Sequence, residues 1–378
     1  MAPNELRDLC EQSPDYVRSI APYQPGKPIA ELAREYGLDP SAIVKLASNE
    51  NPLGLSPAAK TALEREIADL ARYPDGGAFD LKAALCKRYR VAQENIVVGN
   101  GSNDVLELAA AAFLAPGRSA VYSQHAFAVY PLATKARGSR GIAVPAKQFG
   151  HDLDAMAAAI APDTRIVFIA NPNNPTGTFA PHAEVERFLE KVPRNVLVVL
   201  DEAYNEYLPE ALRFDTVKWL ERFPNLVIVR TFSKVYGLAG LRVGFGLMHA
   251  AVADLLNRVR QPFNVNNLAL AAAAAALEDH AFIQKSFQLN RDGLKQLEAG
   301  ARKLGLAFIP SVGNFITIEF ARAQGKPQGG VIFEKLLREG VIVRPVAGYE
   351  MPDHLRVTVG TPAENDRFLS ALSRTLGA

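Results

Sequence analysis

The feature that most constrains the fold of this chain is a series of short apolar runs, rich in β-branched residues, that alternate with longer helical patterns. This alternation is typical of a parallel β-sheet covered by helices. The run at residues 166–169 is apolar throughout, as expected for a strand that is buried on both faces. The sequence therefore predicts an α/β fold whose central strands comprise residues 95–99, 120–123, 142–144, 165–170, 196–200 and 226–231.

A second, smaller α/β unit is predicted after about Ser311, with strands at 314–320, 341–345 and 355–359 and a helix near 331–338. The last helix is expected to begin at Thr361, because Pro362 and Glu364 complete a capping box there. The chain has 378 residues, which is long enough for two domains. The predicted division is an N-terminal arm with part of the small domain at 1–55, a large domain at 56–300, and a small C-terminal domain at 301–378.

The composition excludes several classes of function. The 42 Lys and Arg residues nearly balance the 40 Asp and Glu residues, so no broad positive field is available for nucleic acid or an acidic membrane. Cys10 and Cys86 lie far apart and have no companions at zinc spacing, so neither a disulfide framework nor a metal site is predicted. The acidic N-terminus lacks the apolar core of a secretory signal, and the longest apolar run, 268–277, is too short to cross a bilayer. We expect a cytoplasmic protein.

Polar residues cluster where four of the predicted strands end, at 99–103, 171–177, 201–204 and 231–234. In an open α/β sheet, ligands bind at the carboxyl ends of the strands. Gly99, Gly101 and Ser102 precede a helical pattern, so their backbone N–H groups could bind a phosphate. On its own, a tight turn is the better interpretation of this glycine pair, and the segment at 171–177 is equally consistent with a rigid turn.

Two ionisable residues follow apolar strands. Asp201 would need a cation or hydrogen-bond donors if it is buried, although a helix N-cap would explain it equally well. Lys234 follows two hydroxyl residues and precedes Arg242 by eight positions. A surface position is usual for a single lysine. However, a partly desolvated lysine near another cation has a lowered pKa, which is what a Schiff-base nucleophile requires.

Taken together and in order, these segments resemble the fold-type-I, class-II aminotransferases that depend on pyridoxal phosphate. The detailed resemblance is to the histidinol-phosphate aminotransferase family. It covers nearly the whole chain and is carried by Ser-Lys-Val-Tyr-Gly-Leu-Ala-Gly-Leu-Arg-Val-Gly at 233–244 and Asn-Asn-Pro-Thr-Gly at 173–177. The segments at 21–27, 49–52 and 72–74 also match. The resemblance implies a fold-type-I transferase with a large, mostly parallel sheet covered by helices, a smaller α/β domain, and a homodimeric assembly.

The resemblance also implies roles for individual residues around pyridoxal 5'-phosphate. Lys234 would carry the cofactor as a Schiff base and transfer protons, and Asp201 would pair with the ring nitrogen. Phe127 corresponds to the residue that stacks on the ring, where the family often has tyrosine. Asn174 and Tyr204 would bind the phenolic oxygen. The phosphate would be surrounded by Ser102, Asn103, Thr231, Ser233 and Arg242, with Tyr73 contributed by a neighbouring subunit.

For the substrate, the resemblance implies that Arg356 and Arg344 bind anionic groups, that Tyr23 closes over the substrate ring, and that Asn51 contributes to the same site. The reaction it implies is transfer of an amino group from histidinol phosphate to 2-oxoglutarate in histidine biosynthesis. A family member that acts on phenylalanine, tyrosine or prephenate is the alternative, because those substrates also join a flat ring to an anion. An inactive binding protein with the same fold is the third hypothesis.

Overall fold

The computed structural model describes residues 9–22 and 26–377. The predicted α/β class is confirmed, with one large and mostly parallel sheet and a smaller antiparallel one. The predicted contact residue Tyr23 lies outside the described residues. Within the ranges that are described, no helix has the length and apolar character needed to cross a membrane.

The large sheet has seven strands in the order β2-β8-β7-β6-β5-β3-β4. Neighbouring strands are parallel except for β8, which runs antiparallel to both β2 and β7. The strands are β2 (Ile96–Gly99), β3 (Ser119–Ser123), β4 (Arg140–Val144), β5 (Thr164–Ala170), β6 (Leu197–Asp201), β7 (Leu226–Thr231) and β8 (Gly244–Met248). Because β6 and β7 are buried along their whole length, their apolar sequences match their place at the centre of the sheet.

The six strands predicted for this sheet are all present, with ends that differ by no more than two residues from those expected. The sequence prediction missed β8, whose five residues include Gly244 and Gly246. A β-carbon on Gly244 would lie 2.4 Å from the backbone nitrogen of Ser102, and one on Gly246 would lie 2.8 Å from a methyl of Val105. These glycines therefore let the helix that follows β2 pack closely on the sheet, which is a requirement of tertiary structure and not of strand propensity.

Helices cover both faces of the large sheet and complete the smaller unit. Their bounds are α1 (Asp15–Arg18), α2 (Ile29–Tyr36), α3 (Pro57–Glu66), α4 (Phe79–Tyr89), α5 (Ser102–Phe113), α6 (Val129–Ala136), α7 (Leu153–Ala158), α8 (His182–Lys191), α9 (Ala250–Val259), α10 (Asn267–Glu278), α11 (His280–Lys303), α12 (Gly329–Arg338) and α13 (Pro362–Leu376). The alanine-rich run at 268–277 lies in α10, which contacts α3 and α4. Small side chains allow this close packing of helices.

The smaller sheet is antiparallel, with its four strands in the order β12-β13-β10-β9. A separate two-stranded sheet is formed by β1 and β11, which are parallel. These strands are β1 (Val44–Lys45), β9 (Phe308–Ile309), β10 (Phe315–Glu319), β11 (Val341–Ile342), β12 (Arg344–Pro345) and β13 (His354–Thr358). The single strand predicted at 341–345 is therefore two short strands with different partners. Neither β1 nor β9 was predicted, because two residues carry no readable alternation.

The predicted start of the last helix is confirmed. Thr361 is the N-cap of α13, and its hydroxyl accepts a hydrogen bond from the backbone nitrogen of Glu364. The Glu364 carboxylate in turn accepts a hydrogen bond from the backbone nitrogen of Thr361 at 2.7 Å. Both groups of the capping box are thus satisfied, which fixes where the chain turns from β13 into the helix.

The N-terminal arm contributes to the smaller unit, since β1 pairs with β11 and Leu46 belongs to the same apolar cluster as Phe368. Helix α11 spans the two units: Ile283 packs against the large core, whereas Leu297 is buried in the small one. We propose that the chain divides into the predicted domains, except that the boundary between the large and the small C-terminal domain lies in the middle of α11 and not at residue 300. Helix α2 was not predicted, although its apolar residues Ile29, Leu32, Ala33 and Tyr36 recur at helical spacing; the Pro and Gly residues of the arm around it obscured this signal.

The arm also packs directly against the loop that follows β7. The side-chain amide of Asn51 donates hydrogen bonds to the carbonyl oxygen of Val235 at 2.8 Å and to the hydroxyl of Ser286 at 2.9 Å. Gly237, in the same loop, has a φ of +73°, and a β-carbon there would lie 2.0 Å from the carbonyl oxygen of Gly54. The position of the loop therefore depends on a glycine at 237.

Replacing Gly237 with alanine should destabilise the protein by about 2 kcal/mol, because the added methyl collides with the arm and occupies a left-handed conformation. Gly240→Ala is the matched control in the same loop, since nothing lies within 4 Å of its β-carbon position and its φ is not in the left-handed region. Chemical denaturation midpoints measure both changes. Equal midpoints for the two variants would show that the arm does not constrain this loop.

Candidate active site

A cavity of about 260 Å³ lies at the carboxyl ends of β2, β5, β6 and β7. This is the edge at which the sequence prediction expected a ligand. Ten of the predicted site residues line it, and they come from segments that are far apart in the chain. They are Ser102, Asn103, Phe127, Asn174, Asp201, Tyr204, Thr231, Ser233, Lys234 and Arg242.

One end of the cavity is built to hold an anion. Ser102 and Asn103 are the first residues of the twelve-residue helix α5, so their backbone N–H groups are free of partners within the helix. The Arg242 guanidinium lies beside them, and its Nη1 donates to the Ser233 hydroxyl at 3.4 Å. Gly101 leaves the space for this arginine, because a β-carbon there would lie 2.4 Å from Arg242 Nη2. Backbone dipoles and a fixed positive charge therefore converge at this end.

Lys234 lies three residues beyond β7, and its amine reaches into the cavity. Its Nζ donates to the carbonyl oxygen of Ser48 at 3.3 Å and lies 5.7 Å from the centre of the Tyr204 ring. Burial lowers the pKa of Lys234 to about 8, and the positive charges of Arg356 and Arg242 act in the same direction. Roughly a tenth of the amine is therefore uncharged at pH 7, far more than for an ordinary lysine, and this fraction can act as a nucleophile.

Asp201 is the last residue of β6, and only 5% of its surface is exposed. Burial raises the pKa of its carboxyl to about 6, whereas hydrogen bonds from the Tyr130 hydroxyl and the backbone nitrogen of Ala203 oppose this rise. Those bonds measure 2.8 Å to Oδ2 and 3.2 Å to Oδ1. A protonated ligand nitrogen next to this carboxylate would favour its ionised form further.

Tyr204 and Asn174 lie on the side of the cavity that faces the smaller sheet. The Tyr204 hydroxyl accepts a hydrogen bond from Asn49 Nδ2 at 2.9 Å, and burial raises the pKa of this tyrosine to about 12. The Asn174 Oδ1 accepts a hydrogen bond from Arg356 Nη1 at 2.5 Å. Tyr204 keeps its proton at neutral pH, so its hydroxyl can donate to a ligand oxygen.

The two predicted anion-binding arginines lie opposite each other in the smaller sheet, where Arg344 of β12 pairs with Arg356 of β13. Directly opposed residues of antiparallel strands project to the same face of the sheet. Arg356 also donates to the carbonyl oxygen of Ala47 at 2.7 Å, and its guanidinium lies 5.4 Å from the Phe315 ring centre. Neither arginine lines the cavity itself, but Arg356 is joined to it through its hydrogen bond to Asn174, which does.

Two other predicted residues are not brought to the cavity wall. Asn51 was expected to contact the substrate, but its amide is used in the hydrogen bonds to Val235 and Ser286 that hold the arm. Tyr73 is 82% exposed and stacks on Phe263, with ring centres 4.8 Å apart. Its own chain therefore does not bring it to the site.

The sequence prediction missed two residues that touch predicted site residues. Tyr130 contacts Asp201 and lies three positions after Phe127, so that the two share one face of the helical turn at the start of α6. Asn49 contacts Tyr204 from a left-handed conformation with a φ of 55°. The segment at 49–52 did carry a signal, but it was assigned to Asn51 and not to Asn49.

The cavity thus combines groups of different chemistry. The N-terminus of α5 and Arg242 can bind an anion, Asp201 offers a carboxylate, and the Phe127 ring lines the same cavity. The Lys234 amine stands within the same space. Pyridoxal 5'-phosphate matches this set of groups, since it joins a phosphate to a flat ring that carries a basic nitrogen and an aldehyde.

Comparison with known proteins agrees with this chemistry. The model of the family "Aminotransferase class I and II" matches residues 41–372. Histidinol-phosphate aminotransferase 2 of Nitrosospira multiformis is 61% identical over 369 residues, covering 98% of this chain and 93% of that protein. Histidinol-phosphate aminotransferase 1 of Dechloromonas aromatica is also 61% identical, covering 97% of this chain and 99% of that protein.

Solved structures show the same architecture. The histidinol-phosphate aminotransferase from Sinorhizobium meliloti, crystallised in complex with pyridoxal-5'-phosphate, aligns with a TM-score of 0.89 at 27% identity over 97% of this chain and 98% of its own. The aspartate aminotransferase of Thermus thermophilus with maleate aligns with a TM-score of 0.83 at 22% identity over 96% of this chain and 99% of its own. The second match, at that identity, shows the fold alone.

The fold, the cavity and these comparisons define a class I and II aminotransferase. Within that class, the chain belongs to the histidinol-phosphate aminotransferase family, because several members are about 60% identical to it over nearly its whole length.

Removing the Lys234 amine should stabilise the cofactor-free protein near neutral pH. The folded-state pKa of about 8 lies below the ordinary lysine value of 10.5, so the buried amine costs stability in full below pH 8. Between about pH 8 and 10.5 the unfolded state binds more protons, and the cost disappears as pH rises. Lys234→Met should therefore unfold at a higher temperature than the wild type at pH 7, and this difference should shrink towards pH 10.

Thermal unfolding of both proteins across this pH range measures the effect. Lys147→Met is the control, because Lys147 is exposed and its replacement should leave a small difference that does not change with pH. A Lys234→Met difference that stays constant from pH 7 to 10 would contradict the lowered pKa.

Proposed function

We propose that this protein is a cytoplasmic, pyridoxal-phosphate-dependent aminotransferase that transfers the amino group of histidinol phosphate to 2-oxoglutarate. The observation that carries the proposal is the single cavity in which Lys234, Asp201 and the anion-binding end at α5 converge. A nucleophilic amine, a buried carboxylate and a phosphate site are the three groups that cofactor binding requires. The similarity to histidinol-phosphate aminotransferases supports the choice of substrate.

Groups of opposite charge would hold the two ends of the cofactor. The N-terminus of α5, the hydroxyls of Ser233 and Thr231, and the Arg242 guanidinium would bind the phosphate. The Asp201 carboxylate would hold a proton on the ring nitrogen, and Phe127 would stack on the ring. When bound, pyridoxal phosphate supplies a ring that accepts the electron pair released as the Cα–H bond of the amino substrate breaks.

The Lys234 amine performs the proton transfers. Its Nζ would accept the proton from the substrate Cα and deliver it to the aldehyde carbon of the cofactor. The lowered pKa supports this role, since an amine that is partly uncharged near neutral pH can accept a proton. Tyr204 would donate its hydroxyl hydrogen to the phenolic oxygen of the cofactor, and Asn174 would bind the same oxygen. A keto acid then reacts in the reverse direction, so ping-pong kinetics are expected.

The substrate anion binds to the arginine pair of the smaller sheet. Arg344 and Arg356 project from opposed positions of β12 and β13, which gives two guanidinium groups on one face. Planar guanidinium groups bind phosphate and carboxylate through paired hydrogen bonds, so the same pair serves histidinol phosphate and 2-oxoglutarate. The role proposed for Tyr23, to close over the substrate ring, rests on the resemblance alone, because Tyr23 lies outside the described residues. Asn51 does not touch the substrate in this proposal; it holds the arm against the loop after Lys234 through its hydrogen bond to the carbonyl oxygen of Val235.

The alternative substrates are aromatic amino or keto acids, which also combine a flat ring with an anion. The names of the relatives favour histidinol phosphate over this alternative. The inactive-protein hypothesis is the least consistent with the site, because an amine with a lowered pKa and a buried carboxylate are both present in one cavity.

Half-reactions with single donors should rank the substrates. The purified holoenzyme is mixed separately with histidinol phosphate, glutamate, phenylalanine and tyrosine while the visible absorbance of the lysine-bound cofactor is followed. We expect histidinol phosphate and glutamate to discharge this absorbance at least about tenfold faster than the two aromatic amino acids. A faster reaction with phenylalanine or tyrosine would favour the alternative function.

Two variants serve as controls in this assay. Lys234→Ala should abolish both the visible absorbance of the lysine-bound form and turnover, because it removes the reactive amine. Lys147→Ala removes an exposed lysine outside the cavity and should leave both unchanged. Near-normal transamination by Lys234→Ala would show that another group transfers the proton.

The homodimer is proposed from the surface around Tyr73. Leu70, Tyr73, Phe79 and Phe263 are all exposed, and Tyr73 stacks on Phe263. Exposed apolar side chains grouped in this way favour a protein interface. In the proposed dimer, the Tyr73 hydroxyl binds the cofactor phosphate of the neighbouring subunit, so each cavity is completed by the other chain.

Mixed dimers test the contribution of Tyr73 across the interface. Tyr73→Ala and Lys234→Ala subunits, carrying different affinity tags, are co-expressed and the heterodimer is isolated. If Tyr73 acts across the interface, one cavity of the heterodimer lacks both side chains and the other is intact, so activity returns.

If Tyr73 acts within its own chain, each cavity of the heterodimer carries one defect and activity stays as low as in the parent homodimers. The control heterodimer combines Lys147→Ala with Lys234→Ala and retains one active cavity in either case, because Lys147 is exposed and does not line the cavity. A monomer on sedimentation would reject the proposed assembly directly.

A further inference from the structure

Tyr130 is the one hydroxyl that the structure brings to the side chain of Asp201 among the described residues. Its Oη donates to Asp201 Oδ2 at 2.8 Å, and its side chain has no exposed surface. The ring stacks on Phe168 with centres 4.8 Å apart and planes at 5°, and it meets the edge of Phe127 at 5.9 Å and 85°. These two aromatic neighbours hold the Tyr130 ring in place, which leaves its hydroxyl little freedom to turn elsewhere.

The direction of this hydrogen bond is fixed by the chemistry of the two groups. Burial and the nearby Asp201 carboxylate raise the pKa of Tyr130 well above its ordinary value, so the phenol stays protonated and donates. Asp201 Oδ1 receives the backbone nitrogen of Ala203 at 3.2 Å. Each carboxylate oxygen therefore has one donor, and the plane of the carboxylate is set before any ligand binds.

A buried carboxyl without donors favours its neutral form. The neutral form could not hold a proton on the ring nitrogen of the cofactor, because it carries no negative charge. A hydrogen bond donated to the ionised form has the opposite effect and keeps the charge on Asp201. The Tyr130 hydroxyl thus acts on the cofactor through Asp201, without touching the cofactor itself.

We propose that Tyr130 is a positioning residue that keeps Asp201 ionised and aimed at the ring nitrogen of pyridoxal phosphate. The same ring supports Phe127, which covers the cofactor, so one buried tyrosine sets two of the contacts that the cofactor makes. This inference rests on the proposed role of Asp201 as the partner of the ring nitrogen.

The competing explanation is that the Tyr130 hydroxyl only satisfies a buried polar group and stabilises the fold. The two explanations differ in one measurable quantity, which is the preference of the apoenzyme for a ring nitrogen. A stabilising role would weaken the binding of any cofactor-shaped ligand equally. A positioning role would weaken only the binding of a ligand that carries the nitrogen.

The experiment compares the binding of pyridoxal phosphate with that of an analogue in which a C–H group replaces the ring nitrogen. The dissociation constants of both are measured for the wild-type apoenzyme and for Tyr130→Phe, which keeps the ring and removes only the hydroxyl. We expect Tyr130→Phe to lower the preference for pyridoxal phosphate over the analogue by about tenfold or more, since it removes a hydrogen bond to a charged group. The affinity for the analogue should change little.

Tyr122→Phe is the matched control. Tyr122 is a partly buried tyrosine of β3 that packs against the same apolar cluster as Tyr130 but does not line the cavity. Its variant should keep the wild-type preference. An unchanged preference in Tyr130→Phe, or an equal loss of affinity for both ligands, would overturn the proposal, and thermal unfolding of each variant verifies that it is folded.

Asp201→Asn separates this inference from the proposed role of Asp201. If Asp201 pairs with the ring nitrogen, this variant alone loses the preference, and adding Tyr130→Phe to it lowers the preference no further. If Asp201→Asn keeps the wild-type preference, the proposed role of Asp201 fails. If Asp201→Asn loses the preference while Tyr130→Phe keeps it, only the inference about Tyr130 fails.

Discussion

The burial of Asp201 and Lys234 at the ends of neighbouring strands is the constraint on which the site depends. Because β6 and β7 are paired in parallel, their carboxyl ends bring the two side chains to one cavity. Burial acts on them in opposite directions, raising the pKa of the carboxyl to about 6 and lowering that of the amine to about 8. The pKa values of both groups therefore lie near the middle of the pH scale, where proton transfer is efficient. Removing the two groups from water costs stability, which the rest of the fold must supply.

The smaller unit takes part in the chemistry through the arm. Ser48 accepts a hydrogen bond from Lys234, and Asn49 donates one to Tyr204. The Asn49 side chain also accepts a hydrogen bond from Thr358 on β13, while β1 pairs with β11 just before this segment. The arm thus connects the smaller sheet to the two cavity residues that it touches. The surroundings of the Lys234 amine therefore depend on the smaller unit as well as on the large sheet.

Much of the large sheet could be predicted because its signals are local. A buried parallel strand is apolar along its length, and the polar residue that follows it marks the ligand-binding edge. What could not be predicted depends on contacts between distant segments. Tyr130 and Asp201 are 71 positions apart, and Asn49 and Tyr204 are 155 apart, so no local pattern reports either hydrogen bond. The missed strand β8 is similar, because its glycines serve the packing of α5 and reduce strand propensity.

Arg356 connects the proposed substrate site to the cofactor site. Arg356 donates to Asn174 Oδ1 and to the carbonyl oxygen of Ala47, so its charge has polar partners in a buried position. A substrate anion must improve on these neutral acceptors, and a dianionic phosphate does so more strongly than a single carboxylate. Asn174 also lines the cavity, so one amide joins Arg356 to the proposed cofactor site. Because its Oδ1 accepts from the arginine and its Nδ2 can donate to an oxygen of the cofactor, the two proposed sites share one side chain.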